Sequence, residues 1–141
     1  MSAEQTLKFT ALHQEHLNSN AKMVDFGGWE MPIQYEGILA ETKSVRSSAG
    51  IFDVSHMGRV KITGKASETF LCQITSFDPR QMSDYQAKYG LICNADGGII
   101  DDIILYRKSQ NEYLLIPNAS NTAEVLEWMH KFKFKEDLDK N

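Results

Sequence analysis

From residue 88 the chain runs through three short apolar stretches, KYGLICN (88–94), IIDDIILYR (99–107) and EYLLIPN (112–118), separated by turns of glycine, asparagine and aspartate. Runs of this length between turn formers predict strands, and the short links predict an antiparallel meander. Ahead of them IFDVS (51–55) and GRVKIT (58–63) predict two further strands. Phe70, Leu71 and Ile74 recur at helical spacing and predict a helix over 66–75. The polar segment SFDPRQMSDYQ links that helix to the meander. Asn121 with Glu124 three residues on reads as a helix N-cap, followed by Val125, Trp128, Met129 and Phe132 on one helical face. This order predicts an α+β fold with helices on one face of an antiparallel sheet. The end, KFKFKEDLDKN (131–141), reads as a charged helix terminus with two packed rings, Phe132 and Phe134.

The first fifty residues follow a different pattern. Leu7, Ala11, Leu12 and Leu17 predict a moderately amphipathic helix over 5–18. AKMVDFGGWEMPIQY (21–35) starts like a strand, then meets Gly27, Gly28 and Pro32, which predict a loop rich in large apolar groups. Helical spacing returns over 36–48 through Ile38, Leu39, Thr42 and Val45, with Gly50 placed for a left-handed cap. Helix, loop and helix set residues 1–50 apart from the strand-rich 51–141, and the chain is expected to divide there.

The composition is that of an ordinary globular chain, 42% hydrophobic and 24% charged over 141 residues. A net charge of −4 argues against a nucleic-acid footprint, which needs a basic face. The N-terminus lacks the basic start and apolar core of a signal peptide, and no apolar run nears the roughly 20 residues of a membrane span, so a cytoplasmic protein is expected. Cys72 and Cys93 lack metal or redox spacing and read as two buried thiols. His13 and His16 have no third metal ligand nearby and read as a solvated pair, and His56 as a turn residue. No metal site is expected.

Adjacent acids within IIDDIILY are the sharper signal. A regular strand puts Ile99, Asp101, Ile103 and Leu105 on one face and Ile100, Asp102, Ile104 and Tyr106 on the other, so each face carries one carboxylate among aliphatics. A buried carboxylate must be hydrogen-bonded, paired or lining a pocket. Alternation leaves open which acid is structural and which functional.

DFGGWEMP (25–32), FDVSHMG (52–58), CNADGGIIDDIILY (93–106) and PNASN (117–121), in this order and spacing, resemble the N-terminal portion of the glycine cleavage system T-protein family, the aminomethyltransferases. Gly27 stands where that family more often has alanine, and Pro117 where it has an aliphatic residue. The resemblance implies transfer of a one-carbon unit from the aminomethyl-lipoyl arm of H-protein to tetrahydrofolate, with release of ammonia. It places the catalytic carboxylate at Asp102, acting electrostatically or as a base, and leaves Asp101 to structure. It puts Met57 and Tyr89 at the folate cavity, with Tyr106 and Asn118 as weaker wall residues. It also implies the second domain of a three-domain cloverleaf over 51–141, preceded by part of an incomplete first domain over 1–50. Family chains are much longer, so this chain is expected to be a fragment, inactive alone and prone to self-association through Phe26, Trp29, Met31 and Ile33. Two other readings stay open: a folate- or H-protein-binding module of a related folate-dependent family, and a noncatalytic interaction fragment.

Overall fold

A computed structural model of the chain describes residues 6–138, with side chains through Phe132, so residue 5 of the expected first helix and the Phe134 side chain lie outside the described residues. The chain forms two units, Met1–His56 and Met57–Asn141.

In the first unit, β1 (Lys22–Phe26) and β2 (Trp29–Gln34) pair antiparallel, lying between α1 (His13–Asn18) and α2 (Ile38–Ser47) in the sequence. The segment expected to be a loop is therefore a hairpin. Gly27 and Gly28 have φ of 60° and 83°, the positive pair that a two-residue turn requires to match strand twist. Pro32 is tolerated because a two-stranded ribbon is all edge. The first helix is shorter than its apolar spacing suggests. Lys8 is extended beside Trp29, donating to the Gly28 carbonyl and accepting from Glu30, both at 2.9 Å, which withdraws the chain before His13 from the helix. IFDVS forms no strand, because the Asp53 carboxylate accepts from the Ser55 amide at 2.8 Å and turns the backbone. Nor is Gly50 a left-handed cap. It matters through proximity, since an added Cβ would meet Val45 Cγ2 at 2.4 Å. α2 buries none of its side chains, and Leu39, Phe26 and Phe52 are exposed.

The second unit is a four-stranded antiparallel sheet of β3 (Val60–Thr63), β4 (Ala87–Cys93), β5 (Ile99–Ser109) and β6 (Glu112–Ile116), in the order β3-β6-β5-β4. The expected meander is β4-β5-β6, and β3 joins beside β6. Two helices, α3 (Ser67–Ile74) and α4 (Thr122–Leu138), supply Leu71, Ile74, Val125 and Met129 to one core with Ile92, Ile103, Leu105, Tyr113 and Leu115 of the sheet. Trp128 and Phe132 pack against it, 5.0 Å apart in an edge-to-face pair. Gly90 lets the Phe77 ring lie against β4, for a Cβ there would meet that ring at 2.3 Å.

The alternation in β5 has one fault. Ile92 pairs with Asp101 and Cys93 with Ile99, leaving Ile100 as an extra residue. Across this bulge Ile100 turns to the core beside the buried Asp101, while Ile99 is 66% exposed, the reverse of the expected faces. From Asp101 onward alternation is regular, with Asp101, Ile103 and Leu105 inside and Asp102, Ile104 and Tyr106 outside.

Candidate active site

The bulge sets the two acids in opposite surroundings. Asp101 is 2% exposed and faces inward, where a carboxylate needs donors. It has three, all from the loop between β6 and α4. The Asn118 backbone amide donates to Oδ2 at 2.8 Å, and the side-chain amides of Asn118 and Asn121 donate to Oδ1 at 3.0 and 2.7 Å. Asn121 was expected to cap α4 with its side chain. Its amide goes to Asp101 instead, and its oxygen accepts from Ser120 Oγ at 3.2 Å.

Asp102 stands on the open face of the sheet. Asn118 Nδ2 donates to its Oδ1 at 2.9 Å and to its carbonyl at 3.0 Å. Three oxygens therefore surround one end of the Asn118 side chain, which fixes that end as the nitrogen. On β4, Tyr89 reaches the same carboxylate. The Asp102 charge first, then burial and the hydrogen bond to Asp102, push the Tyr89 phenol above the usual tyrosine range. Around the acid the open face is apolar and aromatic: Leu91 pairs with Asp102, Tyr89 with Ile104, and Ile104 with Ile116.

The sequence-identified residues thus fall into two groups. Asn118 bonds Asp102 directly, and Tyr89 lies close enough on β4 for the Asp102 charge to raise its phenol. Tyr106 shares the outer face but sits four residues along β5 from Asp102, about 13 Å at strand rise, so it flanks the carboxylate without touching it. Met57 lies half-buried before β3. Its neighbour Gly58 donates to the Pro117 carbonyl at 3.1 Å, which sets this glycine against the loop that carries Asn118. A Cβ on Gly58 would meet Thr122 Oγ1 at 2.4 Å and Pro117 Cγ at 2.7 Å, so only glycine permits this approach.

Periodicity missed a polar chain in the first unit. His16, expected to be solvated, is buried. Its Nε2–H donates to Asp53 Oδ2 at 2.9 Å, which leaves Nδ1 to accept from the Tyr35 hydroxyl at 2.8 Å. Thr10 Oγ1 donates to the same Asp53 oxygen at 2.7 Å. Burial alone would raise the Asp53 carboxyl, but hydrogen bonds from His16, Ser55 and Thr10 outweigh it and hold the group well below the usual carboxylate range. His13 faces Glu30 at 2.5 Å, so the two histidines share no ligand. His56 does sit in a turn, its ring 5.8 Å from Phe26 and 6.5 Å from Trp29. Cys72 and Cys93 are free and half-buried, rather than buried as expected.

Residues 12–139 match the model of the GCVT N-terminal domain. The chain belongs to that family. Aminomethyltransferase of Desulfitobacterium hafniense (strain DSM 10664 / DCB-2) is 48% identical over 123 residues, which cover 87% of this chain and 34% of that protein. Aminomethyltransferase of Staphylococcus epidermidis (strain ATCC 35984) is 46% identical over 125 residues, 89% of this chain and 34% of that protein. Among solved structures, glycine cleavage system aminomethyltransferase T from Bartonella henselae superimposes with a TM-score of 0.87 at 33% identity, covering 91% of this chain and 36% of that one. This GCVT N-terminal domain chain spans about a third of the length of the curated relatives it matches. Among the described residues no helix is long and apolar enough to cross a membrane.

Proposed function

We propose that the chain acts in aminomethyl transfer in the glycine cleavage system, supplying the carboxylate-bearing wall at which tetrahydrofolate receives the carbon from the aminomethyl-lipoyl arm of H-protein. The observation that carries this reading is the setting of Asp102, a carboxylate held by Asn118, with Tyr89 nearby, on an otherwise apolar and aromatic sheet face. Such a face suits a flat heteroaromatic ring: Tyr89, Ile104 and Tyr106 offer packing area, while Asp102 accepts from ring or amine N–H groups. Tetrahydrofolate supplies the nucleophilic nitrogen that takes the carbon. Positive charge develops on that carbon as ammonia departs, and Asp102, fixed and anionic, stabilises it more in the transition state than before it. The carbon's bonds to the amine nitrogen and to the lipoyl sulfur break, bonds from the carbon to two folate nitrogens form, and the two protons those nitrogens give up leave on ammonia and on the lipoyl thiol. Met57 and Asn118 complete the wall from the SHMG turn and the loop after β6. Asp101 takes no direct part. The cytoplasm, where folate co-substrates circulate, is the compartment that fits this reading.

Titration of the isotopically labelled chain with tetrahydrofolate tests it. The expected result is a set of NMR shift changes confined to Met57, Tyr89, Asp102, Tyr106 and Asn118, weakened by Asp102→Asn. Changes confined to the helix-covered face, or none at millimolar ligand, would remove the reading.

A further inference from the structure

We propose that Asn121, at the head of α4, is a positioning residue for Asp102, acting through Asp101 and the Asn118 side chain. This rests on Asp102 being the reacting carboxylate, and it adds a residue that does not itself face the open side of the sheet.

The connection is continuous and lies wholly within the second unit. The Asn121 side-chain amide donates to Asp101 Oδ1 at 2.7 Å, the shortest of that carboxylate's three hydrogen bonds. The same oxygen accepts from Asn118 Nδ2 at 3.0 Å, and Nδ2 in turn donates to Asp102 Oδ1 at 2.9 Å. An amide nitrogen carries two hydrogens, yet Asn118 Nδ2 lies near three acceptors, the third being the Asp102 carbonyl at 3.0 Å. Its orientation is set by the balance among them, and the Asp101 oxygen is the one whose place Asn121 fixes. Asn121 belongs to the start of the helix, since its carbonyl accepts from the Val125 amide at 2.9 Å, and Val125 is fully buried in the core. The core packing of α4 therefore reaches the open face through a buried carboxylate. A side chain at Asp102 anchored only by solvent would sample several rotamers, whereas a tolerance of roughly half an ångström is what a working electrostatic group requires. The bulge at Ile100 contributes by turning Asp101 inward one residue before Asp102 emerges.

Tyr89 supplies a readout that is independent of any reaction, because the Asp102 charge beside it raises its phenol. The chain is labelled at tyrosine Cζ, the Tyr89 resonance is assigned with Tyr89→Phe, and its titration is followed in four proteins: the parent, Asn121→Ala, Asn118→Ala and the double variant. Neither substitution changes a charge. The expected result is a midpoint that falls in Asn121→Ala toward that of a free tyrosine, about 10. In Asn118→Ala it falls at least as far, and in the double variant no further than in Asn118→Ala. Amide protection of Ile103 and Leu105 should stay at the parent level in all four, as it would not if the effect were loss of fold. A parent-like midpoint in Asn121→Ala beside a displaced one in Asn118→Ala, or additive shifts in the double variant, overturns the proposal. If Asn121→Ala does not fold, Asn121→Ser, whose hydroxyl is too short to replace the amide, takes its place with the same expectation. A positive result here with no folate response at Asp102 would sink the proposed function while leaving the positioning chain standing.

Discussion

The His16 Nε2–H donates to Asp53 Oδ2 across 2.9 Å, tying α1 to a turn thirty-seven residues later. The Asp53 side chain is 2% exposed and also accepts from Thr10 and Ser55, so it acts as the polar centre of a unit with few buried apolar groups. Asp53→Ala would leave three donors without their acceptor. A buried donor left without its acceptor costs about 1–3 kcal/mol, and amide exchange in β1 and β2 should accelerate accordingly. Unchanged hairpin protection would refute this.

Acid should weaken the same unit. The folded Asp53 carboxyl lies below its ordinary value, so the unfolded chain binds the proton first as pH falls. Its stabilisation is fully present above about pH 4, the ordinary carboxylate value, and is lost progressively as pH drops from there through the folded value. Unfolding measured at pH 7, 4 and 3 should show a steeper acid loss in the parent than in Asp53→Asn.

Gly90→Ala should destabilise the second unit by about 1–3 kcal/mol, the usual cost of overpacking, because the new methyl group would meet the Phe77 ring. Denaturant unfolding reads the loss, and Gly90→Ala with Phe77→Leu should recover part of it.

The two acids should respond oppositely. Asp101→Ala leaves the Asn118 backbone amide and the Asn121 side-chain amide without their acceptor and should cost about 1–3 kcal/mol of stability for each. Asp102→Asn, on an exposed face, should alter stability by no more than about 0.5 kcal/mol. In a full-length version of the protein, assayed for aminomethyl transfer with H-protein and tetrahydrofolate, it should cost about a hundredfold or more, as loss of one electrostatic contact commonly does. A stable, inactive Asp101 variant beside an active Asp102→Asn would reverse the assignment.

Much of the second unit was written in local patterns. Val125, Trp128, Met129 and Phe132 repeat at helical spacing because one face of α4 meets the core, and Ile103 and Leu105 alternate because one face of β5 does. The motifs that resemble the aminomethyltransferase family also lie in continuous stretches, so membership could be read without coordinates. The glycines at 27 and 28 were visible too, but a glycine pair marks a turn and a break alike, and only the pairing of Phe26 with Trp29 makes a hairpin.

What the sequence determined by itself was the family, the α+β order of the second unit and the presence of a carboxylate on each side of β5, because these follow from side-chain spacing along one segment. Tertiary structure decided the rest. The inward turn of Ile100 depends on the register with β4, the start of α1 on Lys8 pairing across to Trp29, and the burial of His16 on Asp53. Likewise Asn121 resembles a helix cap in sequence and becomes a ligand of Asp101 only when β5 and the loop after β6 lie side by side. Hydrogen bonds between residues far apart in the chain leave no period in the sequence, since their partners are chosen by proximity in space.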